Sequence, residues 1–238
     1  MEPTEENRAA WDRLLRARLE QSTEPPGIPA PIRDLLPDLA GKHLLHEQCG
    51  TGETSAELAS LGAMVTAIDV LEQPLVSARQ RFPEIVFLQA DSHELPVNLR
   101  RRRFDVVYAA GLLPYLHDLG AWADEAAAAL RMGGRLVVVD LHPAGACVDA
   151  TTLRWRDDYF AGELLVGRRL QPLGRLKLWR LSELVNAIVA AGFAVRRLEE
   201  FPSLSRIRRH DPRVPGAIAL VAQKVADDAG ADPVTFRA

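Results

Sequence analysis

A glycine turn between an apolar run and a helix start constrains the fold of this chain more than any other feature. Residues 44–55 read LLHEQCGTGETS, and Thr54 and Glu57 have the spacing of a capping box. The turn is therefore predicted to lead directly into a helix that ends at Gly62. A β-rich segment, Met64–Asp69, follows and ends in an acid. This order is typical of a site for an adenosine-containing cofactor, because glycines admit the ligand and the acid accepts hydrogen bonds from ribose hydroxyls.

The rest of the chain alternates strand-like and helix-like segments, which predicts a parallel, doubly wound α/β sheet. Further strands are predicted at 85–90, 104–110, 135–141, 194–201 and 217–224, and helices at 71–82, 121–131 and 181–191. The 104–110 run is almost continuously apolar, as is typical of a strand covered by helices on both faces. The 121–131 helix is expected to end at the glycine pair 133–134.

Three regions lie outside this core pattern. Residues 1–31 are predicted to form a helix with Trp11 on its apolar side and a proline-rich linker, either packed on the surface or acting as a lid. Within the main domain, residues 32–224, the segment 143–180 is interpreted as an insertion. Its aromatic residues either line a ligand pocket or form a small core of their own. Residues 225–238 are expected to be a frayed tail.

Composition limits the classes of partner. The chain has 238 residues, 47% hydrophobic and 26% charged, with a net charge of −3, so it has no general attraction for nucleic acids or anionic membranes. The arginine run 100–103 is interpreted as a solvated helix end rather than a nucleic-acid site. Two cysteines favour a reducing compartment. Since no window is long enough to span a bilayer and no signal peptide is evident, a cytoplasmic protein is expected.

Several motifs resemble those of one known family. The segments 49–52 (CGTG) and 67–69 (AID) resemble motifs I and II of the class I S-adenosylmethionine-dependent methyltransferases, and the likeness covers residues 40–143, and more loosely 180–224. The resemblance implies a Rossmann-like, seven-stranded sheet, mostly parallel with an antiparallel terminal strand, with helices on both faces. It also implies S-adenosylmethionine as cofactor and a small molecule as methyl acceptor. The family usually has an acid at the position of His46 and a glycine at that of Gln48, so this motif I is a variant.

The same resemblance implies where the cofactor binds. Asp69 is expected to hold the ribose hydroxyls, and Asp91 the adenine amino group, with the Ser92 backbone N–H on a ring nitrogen. Whether Glu47 substitutes for the missing acid is left open. No metal ligand is expected, and the full set of expected cofactor-binding residues is His46, Glu47, Cys49, Gly50, Gly52, Asp69, Val70, Asp91, Ser92 and Ala110.

Methyl transfer depends mainly on alignment of the acceptor, and a base is needed only when the acceptor loses a proton. His142 follows the fifth predicted strand and either takes that proton or orders a loop through hydrogen bonds. Tyr115 follows the fourth strand and either faces the acceptor or only packs. Trp11 and Tyr159 are the candidate substrate-binding residues that would close the acceptor site.

Two other functions compete with methyl transfer. The variant motif I is also compatible with a protein that binds the cofactor in a regulatory or other non-methylating role. An NAD(P)-dependent oxidoreductase would need a third glycine where Ser55 stands and a hydride-site pair such as Tyr-Lys, which the sequence does not offer.

Overall fold

The computed structural model describes residues 27–101, 104–149, 152–164, 176–202, 204 and 212–226. The predicted N-terminal helix with Trp11, and all but two residues of the predicted tail, lie outside this part of the chain. Within it, no helix combines the length and apolar character needed to cross a bilayer.

One sheet of seven strands dominates the fold. Its strands are β1 (His43–Glu47), β2 (Met64–Asp69), β3 (Val86–Gln89), β4 (Phe104–Ala110), β5 (Leu130–Leu141), β8 (Phe193–Phe201) and β9 (Ala217–Lys224), and a separate hairpin joins β6 (Glu163–Leu164) to β7 (Leu176–Lys177). The order across the sheet is β3-β2-β1-β4-β5-β9-β8. The first five of these pair in parallel, and β9 is antiparallel to both of its neighbours. The predicted fold class is confirmed.

Helices cover both faces of the sheet because successive strand residues point to opposite sides. The helices are α1 (Ala30–Arg33), α2 (Glu53–Ser60), α3 (Glu72–Arg81), α4 (Val97–Arg100), α5 (Leu119–Ala129), α6 (Pro143–Ala146) and α7 (Leu181–Ala190). Leu44 of β1 packs in one apolar core with residues of α1, α2 and α3. Its neighbour Leu45 packs in a second core with residues of α4, α5 and α7. The two cores therefore lie on opposite faces of the sheet.

The predicted capping box at the start of α2 is wrong. The helix begins at Glu53 after Gly52, whose φ of 88° is left-handed, and no side chain caps it. The Glu57 carboxylate instead accepts hydrogen bonds from the Ile28 backbone N–H at 2.6 Å and from Arg33 Nε at 2.7 Å. A partner 29 residues earlier in the chain thus competes successfully with the local one.

Helix α5 ends earlier than the glycine pair predicted, since β5 begins at Leu130. Leu130 is fully buried and pairs with Phe104 of β4. Tertiary packing therefore places this residue in the sheet rather than in the helix. The buried Lys224 ammonium donates to the Ala127 and Leu130 carbonyls, at 2.8 and 3.2 Å. These bonds satisfy carbonyls that a helix C-terminus leaves without intrahelical partners.

Candidate functional site

Parallel strands bring their carboxyl ends to one edge of the sheet, and most of the predicted site residues lie along that edge. Glu47 at the end of β1 pairs with Ile68 of β2 and Ala109 of β4, and Ala110 pairs with Val139 of β5. The loops after β1, β2, β3 and β4 are therefore neighbours. In open α/β sheets this edge is where ligands bind.

The Asp69 carboxylate joins the first two of these loops. Its Oδ2 accepts a hydrogen bond from the Gly50 N–H and its Oδ1 one from the Leu71 N–H, both at 2.9 Å. Burial raises the pKa of Asp69, and the hydrogen bonds from these backbone N–H groups oppose that rise. Val70, between the two partners, is half-buried, and its carbonyl accepts from Gln89 Nε2 at 3.0 Å. The predicted ribose-binding acid thus lies against the glycine turn.

The glycines of this edge have two different roles. A Cβ added to Gly50 or to Gly111, after β4, would meet no described atom within 4 Å, and both residues have a positive φ. Space is therefore open at both positions, where a ligand can approach the backbone. A Cβ on Gly52 would lie 2.9 Å from Phe87 Cζ, so Gly52 is required for packing against β3.

Gln48 occupies the loop position where the family usually has glycine. Its φ is 53°, a left-handed value that costs a side-chain-bearing residue free energy. Its Oε1 is buried and has no hydrogen-bond partner within the described ranges. An orphaned acceptor in the same turn as Gly50 fits a cofactor that carries N–H donors, such as the ammonium group of S-adenosylmethionine.

His46, the second departure from the family pattern, is buried and contacts Ser55. The His46 Nδ1 and Ser55 Oγ atoms share a hydrogen bond of 2.7 Å, and the imidazole packs edge-on against the Tyr108 ring. Burial lowers the pKa of His46 to about 3, so the ring is neutral. The geometry favours a structural role for this side chain, with contact to a cofactor remaining a prediction.

Glu47 lies on the opposite face of β1 and therefore does not replace the acid missing at position 46. Its Oε2 accepts a hydrogen bond of 2.8 Å from Trp122 Nε1 on α5. Burial raises the pKa of Glu47 to about 7, and the hydrogen bond from Trp122 opposes that rise. The side chain is completely buried, so a cofactor cannot touch it without movement of the loops.

Asp91 and Ser92 begin the loop after β3, and the Ser92 residue is buried. Asp91 Oδ1 accepts from the His93 N–H at 2.9 Å and lies 2.9 Å from His93 Nδ1. The His93 ring stacks on His117 with 3.8 Å between centroids, and its Nε2 accepts from the His117 N–H at 3.3 Å. Sequence analysis missed both histidines, although each follows the carboxyl end of a predicted strand.

Tyr115 ends a 3-10 turn, Leu113–Tyr115, that the end of β5 holds in place. Asp140 Oδ2 accepts from the Leu113 N–H at 2.9 Å, and Trp179 Nε1 donates to the Leu116 carbonyl at 3.1 Å. Burial raises the pKa of Asp140 to about 7. The half-buried Tyr115 therefore follows Gly111 by four residues in the loop after β4. The turn that carries it is supported by Asp140 and Trp179.

Both ring nitrogens of His142 lie close to a polar group, but only Nδ1 forms an aligned hydrogen bond. Its Nδ1 accepts from the Ala144 N–H at 3.1 Å at the start of α6, and its Nε2 lies 2.8 Å from Glu200 Oε1. Burial lowers the pKa of His142, and the Glu200 carboxylate opposes the shift. This geometry supports the loop-ordering alternative over proton abstraction.

The remaining candidates lie in the insertion or in motif I. The Tyr159 hydroxyl accepts from the Leu181 N–H at 3.3 Å, and its ring packs edge-on against Phe160. Cys49 is a buried, free thiol in motif I. Across the part of the chain that the structure describes, no group of three potential metal ligands occurs.

The left-handed Gln48 generates a stability prediction. Replacement by glycine removes the steric cost of this φ, so Gln48→Gly is expected to be about 1–2 kcal/mol more stable than Gln48→Ala, which lacks the same side chain but keeps a Cβ. Urea unfolding of the two variants measures the difference. Equal stabilities would mean that the loop relaxes away from a positive φ.

The buried Glu47 carboxyl generates a pH prediction. In the unfolded chain the Glu47 carboxyl ionises above about pH 4.5, whereas in the folded protein it keeps its proton up to about pH 7. The free energy of unfolding therefore falls as pH rises through this window. Glu47→Gln cannot ionise, and its stability is expected to fall about 2–3 kcal/mol less than wild type between pH 4.5 and 8. Parallel stability curves from denaturant titrations would contradict this.

Comparisons with known proteins identify methyltransferases as similar to this chain. Residues 45–138 match the family described as a methyltransferase domain. An O-methyltransferase of Penicillium expansum is 32% identical over 142 residues, which are 57% of this chain and 51% of that protein. The 27-O-demethylrifamycin SV methyltransferase of Amycolatopsis mediterranei is 35% identical over 134 residues, 52% of this chain and 48% of that protein. The chain thus spans about half the length of the curated relatives it matches.

Solved structures share the fold over most of this chain. An S-adenosylmethionine-dependent methyltransferase from Mesorhizobium loti has a TM-score of 0.66 at 24% identity, covering 81% of this chain and 95% of that one. The cyclase SpnF has a TM-score of 0.59 at 20% identity, and the likeness covers 90% of this chain and 82% of that one. Residues 45–138 of this chain are thus similar to a methyltransferase domain, and the described residues share the fold of S-adenosylmethionine-dependent methyltransferases of known structure.

Proposed function

We propose that this protein transfers the methyl group of S-adenosylmethionine to a hydroxyl group of a small molecule. The observation that carries the proposal is the Asp69 carboxylate held against the Gly50 N–H, beside the open backbone of the glycine turn. The choice of oxygen rests on curated relatives that are O-methyltransferases.

In this proposal the cofactor lies across the ends of β1, β2 and β3. Asp69 holds the ribose hydroxyls, Asp91 and the Ser92 backbone meet the adenine, and the orphaned Gln48 Oε1 accepts from the ammonium group. The bound cofactor supplies a methyl group on a sulfonium, which is already activated toward displacement. What the protein adds is alignment and exclusion of water.

The acceptor is proposed to enter from the other side of the cleft, between the ends of β4 and β5. Tyr115 would align it, and the insertion would roof it with Tyr159, together with Trp11 from the undescribed N-terminal segment. Trp179 supports this arrangement because its bond to the Leu116 carbonyl ties the end of the insertion to the turn that carries Tyr115. His142 is retained only as an orienting residue at the rim.

A non-methylating role is the second candidate. The specific observation in its favour is motif I, where His46 and Gln48 replace the usual acid and glycine. The same fold also serves a cyclase. Formation of S-adenosylhomocysteine with a panel of phenolic and aliphatic hydroxyl compounds, followed by mass spectrometry, separates the two candidates.

We further propose a cytoplasmic protein that does not bind nucleic acid. Cys49 and Cys147, the two cysteines of the chain, are both free and buried, which suits a reducing compartment. Arg100, in the arginine run, lies 3.4 Å from Glu125 of α5, so its charge is balanced within the protein.

The role of Asp69 is tested by cofactor affinity. Asp69→Ala leaves the ribose hydroxyls and two backbone N–H groups without an acceptor, so binding of S-adenosylhomocysteine is expected to weaken by about 1–3 kcal/mol in calorimetry. Asp105→Asn, at the amino edge of the sheet, serves as the control and should bind as wild type. A folded Asp69→Ala protein with unchanged affinity would exclude the assignment.

The acceptor side is tested through turnover. Tyr115→Phe is expected to lower kcat by roughly 10- to 100-fold, since misplacement of a reactant has effects of that size, while affinity for S-adenosylhomocysteine stays within about twofold. Tyr108→Phe, which alters a tyrosine in the core, is the control. If Tyr115→Phe keeps wild-type turnover with an accepted substrate, Tyr115 only packs.

A further inference from the structure

His93 contacts two loops of the carboxyl edge, one on each side of the proposed cleft. The loop after β3 carries Asp91 and Ser92, and the loop after β4 carries Tyr115. The His93 side chain is 12% exposed, so most of it is shielded from solvent. The proposed reaction does not use this imidazole directly.

Each ring nitrogen of His93 contacts a different loop. Nε2 accepts a hydrogen bond from the His117 N–H at 3.3 Å, and the two imidazoles stack with 3.8 Å between their centroids. An imidazole that accepts at one nitrogen carries its hydrogen on the other. Nδ1 therefore donates to Asp91 Oδ1, which lies 2.9 Å away. The His93 ring thus joins Asp91 to the loop after β4.

The loop after β4 gives this contact a firm support. The Leu113 N–H of its 3-10 turn donates to Asp140 Oδ2 at the end of β5, at 2.9 Å. The carbonyl of Leu116, the residue before His117, accepts from Trp179 Nε1 at 3.1 Å. The backbone next to His117 is therefore anchored twice, and its N–H is a donor in a defined place.

The same ring orients the acid of the loop after β3. The far end of this loop is tied to α5, because the Leu95 N–H donates to Glu125 Oε2 at 3.2 Å. Nearer its start, Asp91 Oδ1 accepts from the His93 N–H and from His93 Nδ1, both at 2.9 Å. Two donors on one oxygen restrict the orientation of the carboxylate, and a carboxylate has acceptor sites beyond these two.

We propose that His93 is a positioning residue for recognition of the adenine. Supported by His117, it holds the Asp91 carboxylate in the orientation that accepts a hydrogen bond from the adenine amino group. This role rests on the proposed function, because the adenine of S-adenosylmethionine must lie at Asp91. His93 thereby contributes to the choice of purine base rather than to methyl transfer itself.

The test compares calorimetric binding of S-adenosylhomocysteine with that of S-inosylhomocysteine, in which an oxygen replaces the adenine amino group. Wild type is expected to prefer S-adenosylhomocysteine by at least about 10-fold, since the analogue cannot donate to a charged acceptor. His93→Phe keeps a ring to stack on His117 but cannot donate to Asp91. The preference should therefore fall at least about fivefold, with affinity for S-inosylhomocysteine within about twofold of wild type. His93→Asn keeps an amide donor near the place of Nδ1 and should retain the wild-type preference.

Two controls separate positioning of Asp91 from a general effect on the fold. In an Asp91→Ala background, His93→Phe should change the affinity for S-adenosylhomocysteine by less than about twofold, because the acid on which it acts is gone. His43→Phe makes the same substitution at an exposed position at the start of β1 and should bind both compounds as wild type.

The outcomes separate the role of His93 from the proposed function. A His93→Phe variant that keeps the wild-type preference, or that loses affinity for both compounds equally, overturns the positioning role while cofactor binding stands. If His93→Phe does not fold, His93→Leu replaces it under the same criteria. Wild type that binds both compounds equally well refutes adenine recognition by Asp91, and with it the role of His93. Wild type that binds neither compound refutes the cofactor site itself.

Discussion

The hydrogen bonds of the Asp69 carboxylate to two backbone N–H groups organise the carboxyl edge of the sheet. Gly50 and Leu71 belong to loops that leave different strands, and a single side chain sets the distance between them. Gly52, two residues after Gly50, then packs against Phe87 and starts α2. The space that a ligand would occupy at this edge exists because these backbone positions are fixed before any ligand arrives.

The sequence was sufficient for the fold where local pattern and tertiary packing agree. The predicted bounds of β2 and β4 match the structure residue for residue, since each is an apolar run between clear breaks. Prediction failed at the two ends of helices where a distant partner intervenes. The Glu57 carboxylate accepts a hydrogen bond from the Ile28 N–H, and Leu130 pairs with Phe104 of β4. Both partners lie far away in the sequence, so a local sequence pattern does not predict them.

The candidate site shows the same division. Asp69 and Gly50 could be predicted because motif spacing places them at adjacent strand ends. The sequence shows that His46 departs from the family pattern, but it does not show which side chain contacts His46. In the structure His46 shares a hydrogen bond with Ser55. The variant residue on β1 is thus held by a side chain of α2. Strand alternation alone would have separated His46 from Glu47, but nothing in the sequence identifies Trp122 as the partner of Glu47.

The place of β9 between β5 and β8 has a consequence for how the protein is made. The interior strand of the antiparallel part of the sheet comes last among the seven in chain order. Until Ala217–Lys224 has been synthesised, β5 and β8 both present unpaired edges. The Ala127 and Leu130 carbonyls also lack the hydrogen bonds that Lys224 donates in the folded protein. Closure of the domain during synthesis therefore awaits its last strand, and the nascent chain must avoid edge-to-edge association until then.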